Sequence, residues 1–149
     1  MSRNANKIAK DALIRRYGPM CFIEKLQLRI DPHRTYKSKA QMHRMKELTY
    51  HHIIEDSKGG KATVENGALL TKENHQWFHE QSDEARSYMN AVFQAYKKKV
   101  DDGEIDKDCK VVYVEDLDLP PYVVKPANFI VGTRKKSRNT PMVIKDEPR

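Results

Sequence analysis

Two adjacent histidines, in the stretch Thr49-Tyr50-His51-His52-Ile53-Ile54, restrict this chain more than any other feature. The run is β-prone, and side chains alternate across a strand, so His51 and His52 should face opposite ways. Downstream, His75 and His79 stand four positions apart in Lys72-Glu73-Asn74-His75-Gln76-Trp77-Phe78-His79. Thr71 is a fitting N-cap for a helix there, and on a helix that spacing puts both imidazoles on one face. Four of the six histidines thus fall between positions 51 and 79.

Helical histidines at i, i+4 are a common way to present two nitrogens to one metal, although such pairs also occur as plain surface residues. The doublet shifts the balance. Between it and the helix lie a polar loop with a turn at Gly59-Gly60 and a second short strand, Gly67-Ala68-Leu69-Leu70. A strand, a loop, a strand and a helix can fold back so that the first strand meets the helix. One histidine of the doublet then completes a three-nitrogen site with His75 and His79. Three protein ligands leave room for water or substrate. The other histidine is left to act as a base, since an unperturbed imidazole titrates near pH ~6.5. A base to make hydroxide and a cation to accept departing charge are the minimum equipment for cutting a phosphodiester.

The rest of the chain fits around this unit. Residues 3–17 read as a helix with Ile8, Ala12 and Leu13 on one face and Lys/Arg elsewhere, stopped by Gly18-Pro19. Residues 20–30 are apolar but too short to separate helix from strand. Residues 37–47 look helical, with Met42 and Met45 inward. After Ser82, a second N-cap, Ala85, Met89, Val92, Phe93 and Tyr96 repeat at helical spacing and mark a core-facing stripe. Residues 104–149 hold five of the seven prolines and a few β-prone runs, "KVVYVEDL", "YVVKP" and "NFIVG", with no long periodic segment. They form either a loosely attached extension or extended segments that pack on the domain or on a partner.

Charge is unevenly spread. The net charge is +7 overall, yet residues 1–46 hold twelve Lys/Arg against three Asp/Glu, and residues 101–149 hold nine against ten. The basic excess belongs to the N-terminal part and draws polyanions through counterion release. Arg44, Lys46, Lys58 and Lys61 are candidate phosphate contacts, although a solvated face explains each equally well. Cys21 and Cys109 lie far apart without CxxC companions, so neither a disulfide framework nor a cysteine zinc site is expected. No stretch approaches the ~20 apolar residues of a membrane span, and a reducing, cytoplasmic setting is the default expectation.

At residues 48–81, "LTYHHIIEDSKGGKATVENGALLTKENHQWFHEQ", the chain resembles the ββα-metal core of HNH endonucleases, the three letters being His52, Asn66 and His75. Many relatives read Asp-His where this chain reads His51-His52. The double-histidine version with a later HxxxH is similar to the nuclease domains of DNase-type colicins and to small HNH proteins of bacteriophages and prophages. The resemblance implies an α+β fold in which a ββα-metal (His-Me finger) core, residues 48–100 with its following helix, is flanked by a basic helical part at 1–47 and an irregular extension at 101–149. It also implies roles. His52 matches the general base, and Asn66 matches the asparagine that completes the catalytic motif by bracing the loop. His51, His75 and His79 match the ligands of one divalent metal ion, with Zn, Ni, Mn and Mg as candidates. Asn66-Gly67 also reads simply as a turn pair. Many relatives carry paired CxxC motifs around this core; this chain does not, so packing by Trp77, Phe78, Leu69, Leu70, Ile53 and Ile54 should hold it.

The expected function is metal-dependent hydrolysis of DNA, with weak sequence preference because no base-reading module is present. The alternative is a non-catalytic DNA-binding or phage packaging accessory module with a structural metal site. His52 is the feature that separates them, since a structural site has no use for a fourth histidine. An RNA-directed nuclease of the same fold is a third option. DNA, phage packaging proteins and a second copy of the chain are the candidate partners, and a membrane is not among them.

Overall fold

The computed structural model of the protein describes residues 3–30 and 47–134. The helix expected over 37–47, with Met42, Met45, Arg44 and Lys46, lies outside them except for Glu47. Two helices open the fold, α1 (Arg3–Tyr17) and α2 (Phe22–Leu26), followed by strand β1 (Leu28–Ile30). The ambiguous stretch after Pro19 is therefore both helix and strand. Gln27, in the left-handed region at φ 56°, makes the break between them.

The buried stripe of α1 is Ala9, Leu13 and Tyr17, not the expected Ile8, Ala12 and Leu13; Ile8 is 64% exposed. The reason is aromatic. Tyr17 packs edge-on against Phe22 and beside Tyr96, and this cluster turns the i, i+4, i+8 row inward.

The centre of the molecule is a ββα unit. Strands β2 (Leu48–His52) and β3 (Gly67–Thr71) pair antiparallel, with Leu48 opposite Thr71 and His52 opposite Gly67. Helix α3 (Lys72–His79) follows β3 directly, and the Thr71 hydroxyl accepts from the Asn74 N–H at 3.3 Å as its N-cap. Helix α4 (Asp83–Asp101) is capped in the same way by Ser82. Its expected stripe is fully inside: Ala85, Met89, Val92, Phe93 and Tyr96 are all buried, joined by Tyr88 and Lys97. Helices and small antiparallel sheets thus make an α+β fold around the ββα unit.

Beyond α4 the chain runs without long elements, yet it packs. Val112, Val114, Leu117 and Phe129 join the same buried cluster as α1, α2, β3 and α4. Of the three β-prone runs only "NFIVG" becomes a strand, β4 (Phe129–Val131), which pairs antiparallel with β1. Tyr122 and Val124 of "YVVKP" are exposed. Trp77, Phe78, Leu69 and Leu70 are buried as expected, but Ile54 is 56% exposed because β2 ends at His52 and the chain bends outward there. Both cysteines are free thiols, Cys21 buried and Cys109 exposed.

Candidate metal centre

Strand alternation sorts the residues of β2 onto two faces. Tyr50 and His52 share one, their rings 4.8 Å apart and perpendicular. Thr49 and His51 share the other, which meets α3: Thr49 Oγ1 lies 2.8 Å from His75 Nδ1, and His51 packs against His75, Phe78 and His79. The i, i+4 pair of α3 puts His75 and His79 side by side, ring centres 4.9 Å apart. One ligand nitrogen from each of His51, His75 and His79 lies within 4.8 Å of the others. His51 is buried, His75 half-buried and His79 exposed, so the group opens toward solvent through His79.

The hydrogen bonds around these rings decide where their protons sit. The Thr49 hydroxyl gives its one hydrogen to the Leu70 carbonyl at 2.8 Å, so toward His75 it can only accept. His75 Nδ1 therefore carries the proton and Nε2 a lone pair. On the other ring, His51 Nε2 lies 2.9 Å from Asn90 Oδ1. Asn90 is oriented by its own amide N–H, which donates to the Ile53 carbonyl at 3.3 Å, leaving Oδ1 as an acceptor. His51 thus donates from Nε2, and its Nδ1 is the lone pair. The two lone pairs, His51 Nδ1 and His75 Nε2, face each other at 3.4 Å. Two acceptors at that distance repel unless a cation stands between or beside them, and neutral nitrogen donors are what Zn, Ni and related ions bind. The donor set fits a divalent metal.

Burial reinforces neutrality. It pulls the His51 imidazole from its ordinary 6.5 down to about 3, opposed only by the Asn90 bond and aided by the neighbouring histidines. His75 is pulled down to about 4, again chiefly by burial, then by His79 and His52. Both rings are unprotonated at neutral pH, as a ligand must be.

A cleft of about 430 Å³ is lined by His51, His79 and Asn90 together with His52, Ile54 and Lys58. His52 Nε2 is enclosed without a hydrogen-bond partner. Arg86 of α4 adds a second cation to the rim; its guanidinium donates to the Gln81 carbonyl and pairs with Asp83. Lys61 lies apart, beside Ala5 and Gly60.

Asn66 stands behind His52. Its Oδ1 accepts from the Ile54 N–H at 2.8 Å, and its Nδ2 donates to the carbonyls of Ile54 and Lys61 at 3.0 and 3.1 Å. Its backbone carbonyl accepts from the Ile53 N–H at 2.8 Å. The segment leaving His52 is thus clasped on both its donors. The Gly59-Gly60 pair serves this clasp. Gly59 takes φ 92°, and a Cβ on Gly60 would sit 1.7 Å from the Ile54 carbonyl oxygen and 2.8 Å from Asn66 Nδ2.

The five residues expected to carry the chemistry are therefore near one another: His51, His75 and His79 together, His52 in the same cleft on the opposite strand face, and Asn66 bonded to the two residues after it. Of the expected phosphate contacts, Lys58 lines the cleft, Lys61 does not, and Arg44 and Lys46 lie outside the described residues. Thr49, Asn90 and Arg86 were not anticipated. Asn90 was the most legible of them, a polar residue three positions before Phe93 beside the stripe of α4.

Residues 37–80 match the family model of HNH endonucleases. No match was found among curated proteins or among solved structures. The matched stretch contains both strands of the ββα unit, all three clustered histidines, His52 and Asn66, so the likeness to HNH endonucleases falls on the site itself.

Proposed function

We propose that the protein is a metal-dependent endonuclease that hydrolyses DNA phosphodiester bonds with little sequence preference. The observation that carries this reading is the division of labour within one cleft. Lone pairs of His51 and His75 converge beside His79, and His52 stands on the opposite face of the same strand with no part in that cluster. A divalent ion held by His51, His75 and His79 would supply positive charge for a phosphoryl oxygen and for the departing 3′-oxygen.

The remaining work falls to side chains. His52, in the wall of the cleft, takes the proton of an attacking water on its imidazole. The hydroxide so formed adds to phosphorus as the bond to the 3′-oxygen breaks. Asn66 fixes the backbone after His52 and so limits the swing of the imidazole. Lys58 and Arg86, on the cleft rim, attract the phosphate backbone. The basic residues of α1 extend that attraction without reading bases. The similarity to phage and prophage HNH proteins sets the context we propose, a host cytoplasm, in which Cys21 and Cys109 stay reduced. Among the described residues, no helix is long and apolar enough to cross a membrane.

The test is cleavage of supercoiled plasmid, with single-stranded RNA alongside, in Mg²⁺, Mn²⁺, Ni²⁺ or Zn²⁺ and in EDTA. Metal-dependent conversion of the plasmid to nicked or linear DNA is expected. Tight, salt-sensitive DNA binding without scission under any of the four metals would overturn the reading and identify a binding module instead. Preferential loss of RNA would reassign the substrate.

A further inference from the structure

Lys97 is 4% exposed, at the C-terminal end of the buried stripe of α4. A buried ammonium is costly unless every donor is satisfied. Here each of its three hydrogens has a carbonyl: Val64 at 2.6 Å, Glu65 at 3.0 Å and Gly67 at 2.7 Å. All three belong to the turn around Asn66, and two of them flank it directly. Gly67 is also the residue opposite His52 in the β2–β3 ladder. From Asn66 the bonds continue to both residues after His52, through its backbone carbonyl to Ile53 and through its amide to Ile54. Lys97 does not line the histidine cleft, and its ammonium is bonded to the three carbonyls instead.

Packing alone does not call for a lysine at this place. A methionine of similar length would continue the row of Met89 and Phe93, but it would leave three carbonyls without this donor. What methionine lacks is a single atom able to hold three carbonyls at once.

We propose that Lys97 is a positioning residue for the hydrolysis: it sets the 64–67 turn, the turn sets Asn66, and Asn66 sets the backbone that aims His52. The role presupposes the nuclease reading above. It differs from a general bracing role because its effect must pass through Asn66.

The test is a double-mutant cycle of Lys97→Met and Asn66→Ala on the full chain, read three ways. Zn²⁺ or Ni²⁺ affinity by calorimetry should stay within about 3-fold of wild type in Lys97→Met, since the metal ligands hang from the other face of β2 and from α3. The kcat for plasmid cleavage should fall roughly 10–100-fold with KM nearly unchanged, the loss expected when a reacting group is displaced by about an ångström. In the Asn66→Ala background, the same lysine change should cost less than about 2-fold, because the path is already cut. Additive losses, a Lys97→Met enzyme with wild-type kcat, or loss of metal along with activity would each overturn the proposal.

Amide hydrogen exchange at Ile54 gives a readout independent of activity. It should speed up at least about 10-fold in Lys97→Met while amides of α3 keep their protection. Should wild type cut nothing, the nuclease reading fails, and unchanged Ile54 exchange would separately refute the link from Lys97 to the clasp. If Lys97→Met does not fold, the cycle is run with Lys97→Arg. That change keeps the charge but spreads the donors over a fork. A kcat loss that Asn66→Ala abolishes supports the proposal, and an additive loss or wild-type kcat contradicts it.

Discussion

Thr49 and Asn90 settle which nitrogen of His75 and of His51 is left bare. Thr49 accepts from His75 because its own hydrogen is committed to Leu70, and Asn90 accepts from His51 because its amide is committed to Ile53. Partners of this kind orient a ligand and raise its basicity. Replacing Asn90 with alanine should weaken Zn²⁺ or Ni²⁺ binding about 10–100-fold by calorimetry and leave the circular dichroism spectrum unchanged. Unaltered affinity would mean that His51 needs no such guide. The same burial gives the metal-free protein a pH dependence. In the unfolded chain His51 takes up a proton near its ordinary 6.5, whereas in the folded chain it resists until about 3. The folded state thus binds fewer protons across that window, so its stability is complete above 6.5 and declines as pH falls below it. Urea unfolding in EDTA should show a loss of order 1 kcal/mol per pH unit between pH 6 and pH 5 from this group. The histidine doublet and the i, i+4 pair were visible in the sequence because each spacing is local. Thr49 and Asn90 were not, since a hydroxyl and an amide gain their meaning only when tertiary folding selects their acceptors and donors.

Elements were legible where their signals were local, and misjudged where the core chose among faces. The caps Thr71 and Ser82 and the stripe of α4 follow from short-range chemistry, and all were read correctly. The inner face of α1 was not, because the Tyr17–Phe22–Tyr96 aromatic contacts outweigh Ile8. Ile54 was misplaced for a related reason: β2 stops at His52, two residues before the β-prone run ends. Replacing Ser82 with alanine should cost about 1 kcal/mol in urea unfolding. The Gly60→Ala change should cost more, about 1–3 kcal/mol, because its new methyl would meet a backbone oxygen that belongs to the Asn66 clasp. Its cleavage rate should fall with it even at temperatures where the variant stays folded. A Gly60→Ala protein as stable and as active as wild type would show that the clasp tolerates displacement.

At the scale of the whole molecule, packing stands where a paired CxxC staple would, since the sequence has none. Cys21 is buried and accepts a bond from the Asn74 amide at 3.4 Å, joining α2 to α3 without a metal. Lys25 ties α1, α4 and the following chain together through Tyr17, Tyr96 and Lys107, and its own carbonyl receives the Val112 N–H at 2.9 Å. The stretch after α4 therefore closes the core. A chain ended at Lys110 would lose Val112, Val114, Leu117 and Phe129, each worth roughly 1.5–3 kcal/mol of burial, and should unfold at markedly lower urea if it folds at all. The central claim concerns the histidine doublet, two neighbours assigned to different work because a strand sends them opposite ways. It is tested most directly by measuring metal affinity and plasmid cleavage in parallel on His51→Ala and His52→Ala. The predicted result is that His51→Ala loses both, whereas His52→Ala binds Zn²⁺ or Ni²⁺ like wild type and cleaves roughly 10²–10⁴-fold more slowly. A His52→Ala protein that cleaves robustly, or one that loses its metal, would contradict it.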